Sequence, residues 1–165
     1  MFIPKRYIPK QLSQKDSIKQ QKNILKSRKL YKKNKYFIRP NVDSFRSKPS
    51  NHVKTAKKLY NVSSMKPSRT LVIKTGCSKN TLEDIVDKGR AAYYSGGSRP
   101  NQTPDSWGHA RLASAITGGN ASTVDYHLLY SGCKPTSKAL KLATKTCRKQ
   151  DKCKKYMNKT IKYKK

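Results

Sequence analysis

Acidic residues, long apolar runs and secretion signals are all scarce or missing in this sequence. Only 8 of the 165 residues are Asp or Glu, against 39 Lys and Arg, and the formal net charge is +31. Such self-repulsion opposes a compact free monomer and indicates an acidic partner. No run of about 18 apolar residues is present to span a membrane, and the first ten residues hold no hydrophobic block of the kind a signal peptide needs. We therefore expect a protein that stays inside the cell that makes it.

Metal-ligating residues are few and poorly spaced. The four cysteines form no C-x-x-C pair, and only three histidines are available to complete a site. This pattern disfavours zinc, and we expect neither a metal nor a cofactor. We expect Cys77, Cys133, Cys147 and Cys153 to be free thiols in a reducing compartment, some of them packed in the core.

Positive charge is concentrated at the two ends of the chain. Residues 1–70 contain 20 basic and 2 acidic residues, residues 71–132 contain 6 and 5, and residues 133–165 contain 13 and 1. This distribution predicts a basic N-terminal arm, a near-neutral helical core, and a basic C-terminal helix and tail. Because the arms hold few apolar residues, we expect them to become ordered on binding a partner.

The N-terminal arm is predicted to begin with a basic helix. Ser13 is a suitable N-cap and Asp16 complements the helix dipole in the first turn. Ile18 and Leu25 would form a narrow apolar stripe, with lysines around most of the circumference. A helix of this kind fits an acidic surface or a nucleic-acid groove, and the alternative is a solvated run of charge.

An extended segment bounded by prolines follows, and a second short helix comes after it. Residues 37–50 contain Pro40 and Pro49, and such a segment binds by placing alternate side chains in a partner's pockets. The next helix starts near Ser50 and stops at Asn61, which suits a left-handed C-terminal residue. The predicted partner-binding residues of the arm are Lys26, Arg28, Lys29, Lys32, Lys33, Lys35, Arg39, Phe45 and Arg46.

The centre is predicted to be three short helices joined by glycine turns. The first is capped by Thr81 and stops at Gly96, and its apolar residues recur at helical spacing. The second starts with Thr103 followed by proline and aspartate and stops at Gly118. The third runs from Ser122 to Gly132, and a basic fourth helix follows Pro135. The predicted fold is all-α, with a small three- or four-helix centre flanked by extended or partly helical basic arms.

The second central helix is slim and carries the single tryptophan. Small residues let another helix approach closely, and Trp107 is the natural anchor. Arg111 is expected either to pair internally with Asp125 or to contact a partner, and we favour the internal pair. The tyrosines at 93 and 94 are expected at core and rim rather than as a base-stacking platform. The predicted core docking residues are Tyr93, Tyr94, Arg99, Trp107, Arg111 and Asp125.

Catalytic chemistry has little support in the sequence. His109 lies four residues after Asp105, but such a spacing is typical of an ordinary pair on one helix face. No paired carboxylates, metal cluster or phosphate loop accompany it. We therefore predict that the protein is not an enzyme and has no small-molecule substrate.

The segment GRAAYYSGGSRPNQTPDSWGHARLASAITGGNASTVDYHLLYSGC, residues 89–133, resembles an uncharacterised family carried by nucleocytoplasmic large DNA viruses, including chlorella-virus and mimivirus relatives. RYIPKQLSQKD, RPNVDSF and HVKTAKKLYNV are similar to the basic N-terminal region of that family. The resemblance covers about the first 133 residues. It implies a virus in which small basic proteins hold neighbouring capsomers together beneath the shell.

Three functional hypotheses follow. The first is a minor capsid protein on the inner face of the virion shell, made in the infected host cell, whose partners are the major capsid protein and other minor capsid proteins. The second is a binder of viral DNA or a genome-packaging protein, and the third is an enzyme. The 30 lysines outnumber the 9 arginines, which disfavours specific base reading because that reading favours arginine.

Overall fold

The fold was analysed in a computed structural model that describes residues 2–157, so the lysine-rich end of the predicted tail, residues 158–165, lies outside the described residues. These residues form an all-α protein with no strand among them, as the sequence predicts. A short 3-10 helix covers Lys5–Tyr7. The α-helices are α1 Gln14–Tyr31, α2 Asn51–Tyr60, α3 Arg69–Thr75, α4 Lys79–Ser95, α5 Pro104–Ile116, α6 Asn120–Val124, α7 Tyr126–Gly132, α8 Lys138–Lys149 and α9 Lys154–Met157.

The chain packs as two compact units. The first unit comprises Met1–Pro49 and Val86–His109, and the second comprises Ser50–Ile85 and Ala110–Lys165. These bounds differ from the segments set by charge, because packing follows buried contacts and not net charge. Within residues 2–157, no helix combines the length and the apolar character needed to cross a membrane.

Helix α1 begins where the sequence predicts, but it buries a different face. The Ser13 hydroxyl accepts a hydrogen bond from the Asp16 N–H, which confirms the N-cap. The predicted stripe of Ile18 and Leu25 is wrong, since both side chains are exposed. The buried face instead carries three polar residues beside one apolar residue, and it consists of Asp16, Gln20, Ile24 and Ser27.

Within the first unit, one asparagine bonds both backbone groups of a residue in the extended segment after α1. The Asn101 amide oxygen accepts from the Val42 N–H at 2.8 Å, and its amide nitrogen donates to the Val42 carbonyl at 3.0 Å. The Asn101 side chain therefore bonds both the N–H and the carbonyl of Val42, as a neighbouring strand would. The Val42 side chain is buried. This packing differs from the expectation of an arm that only a partner orders.

Helices α4 and α5 approach each other closely at two glycines in the first unit. A Cβ added to Gly89 would lie 2.5 Å from the Gly108 Cα, and one added to Gly108 would lie 2.7 Å from the Val86 carbonyl oxygen. The prediction that the slim helix admits a close neighbour is confirmed. Helix α4 begins one turn earlier than predicted, because the Ser78 hydroxyl, and not Thr81, accepts the capping hydrogen bond.

The second unit has an apolar interior assembled from several short helices. Helix α2 stops at Asn61, whose left-handed φ of 49° confirms the predicted terminator. Helix α3, which the sequence analysis did not assign, is capped by Ser68 and ended by Gly76. The fully buried side chains include Leu71, Leu82, Ile85, Leu112, Ile116 and Leu129.

The predicted third central helix is broken in two. Helices α6 and α7 meet at Asp125, which has φ −99° and ψ 17°. The Asp125 carboxylate is fully buried and forms an ion pair with Arg111. The break therefore falls at the residue that forms this tertiary ion pair.

The cysteines are paired, which corrects the expectation of free thiols. Cys77 bonds to Cys133, 56 residues away, and Cys147 bonds to Cys153, 6 residues away. Backbone hydrogen bonds on both sides of the first pair bring its two segments together, from Ser78 to the Gly132 carbonyl and from Lys134 to the Gly76 carbonyl. Helix α8 is the predicted basic helix, and it ends at Lys149 before the separate α9.

Candidate interaction surface

The outward face of α1 carries a row of lysines that we call the lysine stripe. Its members are spaced alternately four and three residues apart, so all lie on one side of the helix. At 1.5 Å per residue the stripe extends about 21 Å. Its members are Lys15, Lys19, Lys22, Lys26 and Lys29.

Little of the charge of the lysine stripe is neutralised by the protein itself, although, beside the hydrogen bonds from Ser44, the Lys19 ammonium helps to lower the pKa of the Asp16 carboxyl. Lys19 donates to the Asn41 carbonyl at 3.0 Å, and the Lys26 ammonium lies 4.4 Å from the Phe37 ring centroid. In residues 2–157 no stripe lysine forms a salt bridge. The charge of the stripe therefore faces solvent.

The acidic residues of the chain are largely used elsewhere. Arg90 binds both Asp87 and Asp105 in the first unit. Glu83 pairs with Lys79, and Asp151 pairs with Lys154. Because these carboxylates have basic partners of their own, they do not compensate the lysine stripe.

A cluster of aromatic rings lies where α1 ends, and we call it the tyrosine tip. It comprises Tyr31, Tyr36 and Tyr94. Tyr31 stacks on Tyr94 with 6.1 Å between ring centroids, and Tyr36 meets Tyr94 edge to face at 5.1 Å. The turn between α1 and Tyr36 carries three exposed lysines, Lys32, Lys33 and Lys35. Tyr36 itself is 70% exposed, so the tip presents an aromatic ring among cations.

Arg39 was predicted to bind a partner, and the structure instead buries it. Its guanidinium donates to the Tyr93 carbonyl at 2.8 Å, to the Ser98 hydroxyl at 2.7 Å and to the Ser27 hydroxyl at 3.1 Å. It also lies 3.7 Å from the centroid of the Tyr93 ring. Burial lowers the pKa of Arg39. Arg39 therefore holds the extended segment in place, because its guanidinium bonds to other segments of the first unit.

Some of the other predicted partner-binding residues are half-buried against the protein, and the rest are exposed. Arg28 is half-buried and donates to the Gly96 carbonyl through two nitrogens, at 3.0 and 2.7 Å. Phe45 is half-buried. The remaining predicted residues are exposed, and they are Lys26, Lys29, Lys32, Lys33, Lys35 and Arg46.

The predicted core docking residues belong to both units. In the first unit Tyr93 is fully buried and Tyr94 half-buried, which confirms core and rim, and Arg99 is exposed. Trp107 is half-buried and meets the Tyr7 ring edge to face at 5.9 Å. It thus anchors an internal contact.

In the second unit, Arg111 and Asp125 form the predicted internal pair. Two parallel hydrogen bonds of 2.7 Å join the guanidinium to the two carboxylate oxygens. Asp125 is fully buried, whereas the Arg111 side chain is 23% exposed. This bidentate geometry occupies both carboxylate oxygens and gives the pair a structural role.

Neither the lysine stripe as one ordered face nor the tyrosine tip is among the features predicted from the sequence. The spacing of the lysines in α1 was available as a signal, since positions four and three apart share a helix face. The tip had no such signal, because Tyr94 is far from Tyr31 in sequence and only packing unites them.

The comparisons with known proteins yield a family but no function. No curated protein and no solved structure matches the sequence. Residues 4–129 match the DUF5824 family, which is described as a family of unknown function. The match includes α1, the extended segment and the helices up to most of α7. Because it covers well over half of the chain, the protein belongs to the DUF5824 family.

Proposed function

We propose that this protein is a non-enzymatic structural protein of a large DNA virus, which bridges major capsid proteins from the inner face of the shell. The observation that carries the proposal is the lysine stripe of α1, which forms no salt bridge within residues 2–157. An exposed row of cations about 21 Å long fits an extended acidic surface better than a small molecule. The resemblance of residues 89–133 to proteins of large DNA viruses supplies the particle as the context.

Fractionated virus particles provide the test. After protease treatment of intact particles, the protein should stay with the shell at a fixed ratio to the major capsid protein. A charge-reversed variant, Lys22→Glu with Lys29→Glu, should be incorporated poorly. The matched control is Lys138→Glu with Lys141→Glu on α8, whose side chains are also exposed. Recovery of the protein only with the DNA core would contradict the proposal.

A second candidate is a DNA-binding or genome-packaging protein without sequence specificity. It is favoured by the composition of the stripe, which is lysine throughout, because bulk phosphate neutralisation accepts lysine whereas base reading favours arginine. Affinity for duplex DNA should then fall linearly on a log–log plot against salt, whatever the sequence. Negligible binding at about 150 mM salt would eliminate this candidate.

A further inference from the structure

The tyrosine tip combines two features that nucleic-acid surfaces share. Its outermost ring, Tyr36, is 70% exposed although Tyr94 holds it edge to face. Tyr31 braces Tyr36 from a second side, with 6.0 Å between their centroids. A large exposed aromatic ring held in one orientation is ready to stack on another flat group, since little side-chain entropy remains to be lost.

Lysines precede this ring in the sequence, both in the turn and along α1. Lys32, Lys33 and Lys35 are exposed in the turn beside Tyr36. The lysine stripe extends back along α1 from here, and its last member, Lys29, lies two residues before Tyr31 of the tip. A row of phosphates can follow these ammonium groups while a base lies on the ring.

We infer that the tyrosine tip and the lysine stripe form a binding site for single-stranded nucleic acid. Tyr36 stacks on an unpaired base, and the lysines of the tip and stripe contact the phosphates on either side. An unpaired strand is favoured over a duplex because the faces of paired bases are covered by their neighbours in the stack. It is favoured over an acidic protein segment because carboxylates would meet the lysines but would leave the exposed ring unused. This inference rests on the second candidate function, in which the lysine stripe binds nucleic acid and not a capsid protein, and it identifies the ligand of that function.

The decisive experiment measures binding of a labelled, mixed-sequence 20-nucleotide DNA strand and of its duplex by fluorescence anisotropy. Loss of one stacked base costs about 1–3 kcal/mol, so Tyr36→Ala should weaken single-strand binding roughly tenfold. Tyr36→Phe should preserve it, because the ring remains. The matched control is Phe2→Ala, which removes another exposed ring, 81% accessible, outside the tip. The control should bind like the unaltered protein.

Lysine substitutions test the path of the phosphates. Lys29→Gln with Lys33→Gln should reduce the slope of log affinity against log salt by about 1.4 for the single strand. The pair Lys138→Gln with Lys141→Gln on α8 should change the slope less. Equal changes from both pairs would mean that the charge is diffuse and would overturn the path along α1.

The possible outcomes distinguish failure of the stacking site from failure of DNA binding itself. If the protein binds no nucleic acid at about 150 mM salt, both fail. If it binds the duplex as tightly as the single strand and Tyr36→Ala changes neither, the stacking site fails while DNA binding stands. If a poly-glutamate peptide competes as well as the single strand, the site is a docking surface for acidic protein and the inference is overturned.

Discussion

In the first unit about half of the buried side chains are polar, whereas in the second unit apolar side chains predominate and are joined by two disulfides and one buried ion pair. The first unit buries Asp16, Gln20, Ser27, Arg39 and Ser98. The second unit buries a set of leucine, isoleucine and alanine side chains, and both disulfides lie within it. The difference shows two ways in which a highly basic chain with few apolar residues can form compact structure.

The two interiors should lose stability in response to different kinds of substitution. Among the described residues, no buried side-chain nitrogen or oxygen lacks a hydrogen-bond partner. A polar interior of this kind loses stability when any one partner is removed, because the others are then buried without a bond. An apolar interior depends on volume and cross-links, and it tolerates polar changes only where they are paired.

Removal of the Cys77–Cys133 bond should produce the largest loss of stability. This bond closes a loop with a sequence separation of 56, and its removal should cost about 4 kcal/mol of unfolding free energy. The Cys147–Cys153 bond spans only 6 residues, and its removal should cost about 2 kcal/mol. Urea unfolding of the two Cys→Ser double variants measures both values. Equal losses would show that loop length does not govern them.

Arg111→Met should cost about 3 kcal/mol, the low end for breaking a buried ion pair because Arg111 remains partly exposed. The loss arises from leaving the Asp125 carboxylate buried without its bidentate partner. The double variant Arg111→Met with Asp125→Leu should recover most of the stability. Chemical denaturation of the three proteins measures this, and a double variant no more stable than the single one would refute the explanation.

Arg39→Met should cost about 2 kcal/mol, because it removes charge-assisted hydrogen bonds from the interior of the first unit. The substitution leaves the Tyr93 carbonyl and two serine hydroxyls without their donor. Arg39→Lys should lie between the two proteins, since an ammonium group cannot reproduce the planar fork. Thermal unfolding measures the series. If Arg39→Met were as stable as the parent, the polar interior would not depend on this residue.

Asp16→Asn should have the smallest effect, and its size should depend on pH. Hydrogen bonds from the Ser44 hydroxyl and N–H lower the pKa of Asp16 below its ordinary value of 3.8. The folded-state pKa lies below the unfolded one, so the stabilisation is complete above about pH 3.8 and disappears as the pH falls through the folded value. The stability difference between the two proteins should therefore shrink in acid. A difference that stays constant between about pH 7 and pH 2 would contradict this role.

Several local features were predictable because they depend on neighbouring residues. The N-cap of α1 at Ser13, the start of α5 after Thr103 and the left-handed stop at Asn61 are each set within one helical turn. At the two helix starts a side-chain oxygen accepts a hydrogen bond from a backbone N–H three residues away, and at Asn61 the residue itself adopts the left-handed conformation that ends the helix. The Arg111–Asp125 pair was predictable for another reason, because Arg111 lies in a slim helix beside Trp107 within a segment that is otherwise close to neutral.

Other features required the packed structure. The buried face of α1 is mostly polar because Ser44, Tyr7 and Ser98 supply hydrogen-bond partners from other segments. Hydrophobic spacing therefore indicated the wrong side of the helix. The pairing of the cysteines likewise depends on backbone contacts between residues far apart in sequence.

The sequence by itself determined that this protein is helical, where several of its helices begin or end, and that it carries a large excess of positive charge. Those properties follow from local hydrogen bonding and from composition. Only the tertiary structure decided that Arg39 lies inside, that all four cysteines are paired, and that Tyr31, Tyr36 and Tyr94 meet beside the lysines. The physical reason is that burial and ring contacts depend on which distant segments pack together.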